Sequence, residues 1–253
     1  MRLSLFYDPF IIIDRLAIAI NRRKRKNKLN GTPAAKLKLG YLDSLELFEI
    51  IKNENNKIQT IFDVGANIGT WTILAKSFFP DAAIYAFEPL NKHVQKFNDL
   101  TKELQNVTIH QYCLGNENTS TTINVSSFSD SSSILDATPL EFELFGIKKE
   151  SEEEVQVKRT DFLIDGNVLP VPDIIKMDIQ GFELEALKGT GKYLNDVSYL
   201  IIEVSFKQYY VGQPLFLEIA NYLATYNFNI HAFGQSTPVG QELWQIDVLF
   251  KRI

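Results

Sequence analysis

Cysteine is almost absent from this chain, with Cys113 alone among 253 residues. A single thiol excludes an internal disulfide framework and a cysteine-rich zinc site, and it makes a reducing cytoplasm the natural compartment. In its apolar surroundings Cys113 reads as a small buried hydrophobe rather than a nucleophile. The three histidines, His93, His110 and His231, share none of the short spacings of a metal motif, so each reads as structural and no metal site is expected. No apolar run reaches the ~20 residues that a membrane-spanning helix needs. The one candidate, residues 10–20, is interrupted by Asp14 and Arg15, lacks a cleavage pattern after it, and carries its charges on the wrong side for a secretory signal. No internal repeat is visible.

Positive charge is scarce over most of the chain. Of 26 Lys/Arg and 31 Asp/Glu, residues 1–30 hold eight and two, which leaves 18 and 29 in residues 31–253, a net charge of about −11. A body of that sign is not expected to read nucleic acid. The basic residues instead cluster at Arg22, Arg23, Lys24, Arg25, Lys26 and Lys28, directly after the apolar run. Two readings of this N-terminus stay open. One is an amphipathic helix packed on the domain or on a second copy in a homo-oligomer. The other is a peripheral contact of residues 10–28 with the inner, cytoplasmic face of a membrane, with basic side chains on anionic lipid.

What the chain does contain is organised around residues 58–76. Ile58, Ile61, Phe62 and Val64 form a short apolar run that suits a strand covered on both faces. Apolar residues restart at helical spacing with Trp71, Ile73, Leu74 and Ala75. Between them, Gly65 and Gly69 permit a tight turn, and the helix that follows aims its free N–H groups at whatever the turn holds. Asn67 stands where a dinucleotide motif needs its middle glycine, so a nicotinamide oxidoreductase is disfavoured. The Gly-Lys-Ser/Thr of a Walker loop is also missing. A second strand over residues 82–87 ends in Glu88-Pro89, and an acid at that tip is placed to take ribose hydroxyls. Ribose without pyrophosphate points to S-adenosylmethionine.

Asp63-Val-Gly-Ala-Asn-Ile-Gly69, Phe87-Glu-Pro89, Ser131-Ser-Ser133, Ile175-Lys-Met-Asp-Ile-Gln-Gly-Phe-Glu183 with Leu187-Lys-Gly189, and Ile201-Ile-Glu-Val204 follow one another in an order and spacing that resembles the FkbM-type methyltransferases. The likeness covers roughly residues 58–250. It implies an α/β class I methyltransferase (Rossmann-like) fold, a doubly wound and mostly parallel sheet with an antiparallel final strand, here behind an N-terminal helical extension. It also implies S-adenosylmethionine as cofactor and a sugar or polyketide hydroxyl as the usual acceptor. Carried onto this chain, the cofactor-binding positions are Asp63, Gly65, Ala66, Asn67, Gly69, Thr70, Glu88, Pro89, Leu114, Gly115 and Asp178. Leu114-Gly115 stand where such folds enclose the adenine ring.

The division expected is an extension over residues 1–52 and a cofactor-binding domain over residues 53–253. Leu42, Leu45, Phe48 and Ile51 mark a helix within residues 37–51, and residues 107–114 a third strand. Residues 116–133 combine a β-prone segment, Thr121 to Val125, with a serine-rich loop that reads as a functional lid whose Ser131 to Ser133 line the reacting site. Glu150, Glu152, Glu153 and Glu154 read as a solvated face, and residues 155–159 as an exposed strand. Further strands are expected at residues 173–178, 197–204, 227–233 and 244–250, the last two joined without a helix and therefore antiparallel.

Asp63, Glu88, Asp178 and Glu203 all close such strands, so four carboxylates should surround one crevice, an arrangement suited to a sulfonium and an ammonium. Methyl transfer to a hydroxyl calls for alignment and for a group that takes the proton. Asp178 is the first candidate for that catalytic base and Glu203 the second. Asp178 is equally readable as a cofactor ligand or a helix-cap carboxylate, Glu203 as a group that orders the crevice, and Glu183 as a first-turn acid. Ser132, Ser133 and Glu183 are the candidate substrate contacts, and Lys176 should point the same way as Asp178. The leading expectation is an O-methyltransferase acting on a glycan or glycosylated small molecule. The alternative is a non-catalytic nucleotide-binding module of the same fold.

Overall fold

The computed structural model describes residues 9–38, 42–128, 130–239 and 241–253. Readings that touch residues 1–8 of the N-terminal extension and 39–41 of the expected helix lie outside the described residues. The chain opens with α1 (Pro9–Lys28), then a short 3-10 turn begun by Pro33, then α2 (Leu45–Glu54). Leu42, Leu45, Phe48 and Ile51 are all buried, as their spacing predicts, but the helix starts only at Leu45.

The alternating unit then begins with β1 (Thr60–Val64), α3 (Thr70–Phe78), β2 (Ala83–Phe87), α4 (Asn91–Thr101) and β3 (Val107–His110). The expected third strand breaks at His110. Residues 111–112 turn, and β4 (Cys113–Leu114) leaves the main sheet to join a second one with β5 (Thr119–Ser126) and β6 (Lys149–Lys158), with α5 (Pro139–Phe145) between the last two. This three-stranded sheet, in the order β4-β6-β5, is a feature that the serine-rich composition concealed. β5 and β6 are a long antiparallel pair, and Glu150, Glu152, Glu153 and Glu154 are all exposed along β6.

The main fold resumes with α6 (Thr160–Asp165), β7 (Ile174–Met177), α7 (Glu183–Thr190), β8 (Tyr199–Ser205), α8 (Phe216–Ala224), β9 (Phe228–Val239) and β10 (Glu242–Arg252). The seven-stranded sheet has the order β3-β2-β1-β7-β8-β10-β9. Its first five strands are parallel, and β10 runs antiparallel to both neighbours.

Period-two alternation divides the core into two layers. Ile61, Ile174, Ile201 and Leu249 pack with α2 and α3, whereas Phe62, Ile175, Leu200 and Ile202 pack with residues of α6, α7 and α8. Two residues further along the first set of strands, the same face turns charged, at Asp63, Lys176 and Glu203. Asp63 lies in register with Lys176, and Glu203 lies directly opposite Asp247. The sheet reverses its winding between β1 and β7, the place where open α/β sheets bind ligands beyond their strand ends.

Candidate active site

Two cavities meet over that reversal. The first, a narrow cleft with a cavity volume of about 80 Å³, is lined by the β1–α3 loop at Gly65 and Asn67, by Glu88, Pro89 and His93 after β2, and by an apolar wall that includes Tyr112, Leu114, Ile134 and Phe182. The second, about 470 Å³, is lined by Asp43, Trp71, Lys176, Glu203, Tyr210 and Asp247 among others. Gly65, Asn67, Asp130, Asp178 and Gln180 line both.

The loop owes its shape to backbone packing. Gly65 adopts φ 78, and a Cβ there would lie 2.0 Å from the carbonyl oxygen of Asp178. At Gly69, φ 90, a Cβ would meet the Phe97 ring of α4 at 2.8 Å. Both glycines therefore serve a close approach of the protein to itself, where the sequence suggested room for a ligand. Gly115 is alike, since a Cβ there would reach Val157 at 2.6 Å and Phe182 at 2.8 Å.

Glu88 is buried and holds the loop in place. The Asn67 N–H donates to its Oε2 and the Leu90 N–H to its Oε1, each at 3.0 Å, while His93 Nδ1 lies 3.3 Å from Oε1. A carboxylate has about four lone-pair positions, so acceptor capacity toward the cleft remains. His93, which the sequence assigned to structure, is thus part of the cleft wall. Cys113 lines the same wall, and burial pushes its thiol up to about 12, which keeps it protonated and unreactive.

Asp63 lines neither cavity. It is completely buried beneath the loop, where Oδ2 accepts from Thr72 Oγ1 at 2.6 Å and Oδ1 lies 3.5 Å from Lys176 Nζ. Burial raises its pKa against the pull of Lys176. Lys176 points the same way as Asp178, as its spacing predicts, with Nζ 3.7 Å from Asp178 Oδ2 and 3.0 Å from the Gly65 carbonyl. Burial would strip its proton, yet the carboxylates of Asp178, Asp63, Asp247 and Glu203 outweigh that and raise its pKa.

Around this cation the other acids crowd one another. Glu203 is held well above the carboxylate range by burial and then by Asp178, Asp247 and Glu183, with Lys176 opposing. Asp247 is pushed up to about 7 by burial, with Asp178 and Asp43 adding to it. Like charges directly opposite across a strand pair repel, which is the situation of Glu203 and Asp247. Ser44 Oγ, 3.4 Å from Asp247 Oδ2, and Trp71 Nε1, donating to Ser44 at 3.0 Å, complete that side. Among the described residues no group of three or more His, Cys, Asp or Glu could hold a metal ion.

Gln180 is the hub that sequence reasoning missed. Its Nε2 donates to Asp178 Oδ1 at 2.8 Å and to Glu203 Oε2 at 3.1 Å, and its Oε1 accepts from Tyr210 Oη at 3.0 Å. It does so from a left-handed backbone, φ 52, a conformation that costs a non-glycine residue ~1 kcal/mol or more and persists where surroundings enforce it. The Gln180-Gly181 pair after a buried strand was the available signal. Asp247, a lone acid within an apolar strand, was another. Ser133 Oγ donates to the Gln180 carbonyl at 2.7 Å and accepts the Leu135 N–H at 3.0 Å, and Ser132 Oγ accepts from the Ser126 N–H. Ser132 and Ser133 line the first cavity, Ser131 the second.

Glu183 faces away from both cavities. Its Oε1 accepts the N–H groups of Ile179 and Gly181 at 3.0 and 3.1 Å, so it shapes the loop that carries Gln180. Burial moves its carboxyl up to about 7. Ala66 and Thr70 line the larger cavity, and Pro89 and Leu114 the smaller.

A family profile described as the methyltransferase FkbM domain matches residues 63–230. The hexuronic acid methyltransferase AglP of Haloferax volcanii is 27% identical over 164 residues, covering 63% of this chain and 61% of that protein. Methyltransferase 1 of Beauveria bassiana is 28% identical over 178 residues, 63% of this chain and 70% of that protein. Among solved structures, a methyltransferase FkbM from Methylobacillus flagellatus superposes with a TM-score of 0.50 at 17% identity, over 94% of this chain and 60% of that one. The magnesium protoporphyrin IX methyltransferase of Synechocystis, solved with S-adenosylmethionine, gives 0.50 at 12% identity, over 85% and 80%. At these identities the two structures speak for the fold.

Proposed function

We propose, from the premise that the chain belongs to the FkbM methyltransferase family, that it methylates a hydroxyl of a sugar, glycan or glycosylated small molecule with S-adenosylmethionine. The observation that carries this reading is the meeting of a cleft walled by apolar groups and Glu88 with a larger acidic cavity at Asp178 and Gln180. The residues of the cleft fit the cofactor. Tyr112, Leu114, Ile134 and Phe182 suit an adenine ring, Glu88 retains lone pairs for ribose hydroxyls, and the acids beyond Gly65 suit an ammonium and a sulfonium. When bound, that cofactor supplies an electrophilic methyl group.

The protein's own tasks are then to align the acceptor oxygen and to receive its proton. We assign proton removal to Asp178, which lines both cavities and is oriented by Gln180. Burial and the neighbouring Asp178 and Asp247 raise the pKa of Glu203, and it fits the role of a wall that binds acceptor hydroxyls. The sugar-directed relative supports a sugar acceptor. Asp43, Glu203 and Asp247 disfavour a carboxylate beside the reacting oxygen, so a neutral sugar fits better than an acidic one.

The test is transfer of a labelled methyl group to a panel of neutral and uronic-acid oligosaccharides, beside calorimetry with S-adenosylhomocysteine. Asp178→Asn should retain most of the S-adenosylhomocysteine affinity and lose transfer by roughly 100-fold or more. Unchanged transfer would remove Asp178 from the role. Binding of S-adenosylhomocysteine without transfer to any acceptor would favour the non-catalytic module.

A further inference from the structure

We infer that α1 docks the protein on an anionic lipid surface, lying in its plane. Ile13, Leu16 and Ile20 are 59, 56 and 53% exposed, and their spacing of three and four puts them on one stripe of the helix. Arg23, Lys24 and Lys26, in the turns that follow, are exposed as well. The helix carries seven basic residues against Asp14 alone, while residues 31–253 are strongly acidic. Among the described residues no helix is long and apolar enough to cross a membrane, so a helix of this composition meets lipid from the side.

The C-terminal end of the helix is tied to the body. Arg25 pairs with Glu46 at 2.8 Å and Lys28 with Glu49 at 2.7 Å, and Leu29 just beyond is buried in the core under α2 and α3. The root thus holds the stripe in a defined relation to the body while leaving it uncovered. An anionic bilayer offers that stripe an apolar layer and offers the basic turns negative headgroups at the same time. A second copy of α1 would offer an apolar stripe but the same positive charge.

The experiment is co-sedimentation of the full chain with vesicles of phosphatidylcholine alone and of phosphatidylcholine mixed with phosphatidylglycerol. The expected result is binding to the mixed vesicles tighter by roughly tenfold or more, weakening as salt rises. Ile13→Glu/Leu16→Glu/Ile20→Glu should abolish it, and Arg23→Glu/Lys24→Glu/Lys26→Glu should reduce it to the neutral-vesicle level. Both variants alter exposed side chains, so an unchanged thermal midpoint and unchanged S-adenosylhomocysteine binding verify that they are folded. Equal binding to both vesicles, no binding, or binding that persists in the folded variants overturns the inference. So does self-association of the wild type that the stripe variant removes while vesicles are ignored.

Discussion

The two cavities that meet at Asp178 and Gln180 are built in opposite ways. The smaller is shaped by backbone: glycines at positive φ, N–H groups held by Glu88, and an apolar wall. The larger is shaped by side chains brought from β7, β8, β10 and the turn before α2, and its acids repel one another around the buried Lys176. In the first, the N–H groups of Asn67 and Leu90 are satisfied by Glu88. The second carries unrelieved negative charge, which a cationic or hydroxyl-rich ligand would relieve. On the roles proposed for them, the cofactor cleft is shaped by main-chain fit and the reacting cavity by like charges held close together.

The sharpest way to break this comparison is to remove the lysine. Lys176→Met leaves Asp63 buried without its cation and should destabilise the fold by about 3–5 kcal/mol, read by urea denaturation. Adding Asp63→Asn should recover a large part of that loss. A cost below about 1 kcal/mol for the single change would mean that the acids are already protonated and that the cavity holds no tension.

On the backbone-built side, Glu88→Ala removes the acceptor for two loop N–H groups along with the proposed ribose contact. Charge-assisted hydrogen bonds are worth about 1.5–3 kcal/mol, so S-adenosylhomocysteine affinity should fall by roughly 10- to 100-fold in calorimetry. An unchanged dissociation constant would separate Glu88 from the cofactor altogether.

The crowding of acids has a signature in pH. Asp247 binds its proton more tightly in the folded state, up to about 7, than at its ordinary value of 3.8, so the folded state holds more protons between those limits. Stability should therefore decline as pH rises through that window. Asp247→Asn removes this slope, and it should stabilise the protein by on the order of 1–2 kcal/mol at pH 8 with little effect near pH 3.5. Equal effects at the two pH values would show that Asp247 titrates normally.

The smallest effect belongs to the loop that covers both cavities. Ser133→Ala deletes the hydrogen bond to the Gln180 carbonyl and should cost about 1 kcal/mol, with S-adenosylhomocysteine affinity changed only a few-fold. A loss as large as that of Glu88→Ala would make the serine loop a structural part of the cofactor cleft.

The backbone-built side was the more legible of the two because its signals are local. Glycine spacing, a strand-ending acid and helical periodicity each lie within a few residues of one another, so Gly65, Asn67 and Glu88 could be placed from the chain alone. Asp63 and Glu183 were legible as acids at strand and helix ends, but whether such an acid faces a cavity or the protein's own N–H groups depends on the neighbouring strand and loop. The second sheet was legible only in part, with Thr121 to Val125 read as β-prone and residues 155–159 as a strand, but not its extent or its pairing. Residues 119–126 and 149–158 are polar, and only their pairing with each other and with β4 makes them strands.

By itself the sequence determined the order of strands and helices, the turn at Gly65 and the sign of charge along the chain, because propensity, periodicity and glycine freedom act over short distances. Tertiary structure alone decided that Asp43, Lys176, Glu203 and Asp247 share one cavity and that Gln180 joins Asp178 to Glu203. Those residues come from segments separated by up to two hundred positions, and only sheet register, which stacks residues of one face at fixed spacing, brings them within reach of one another.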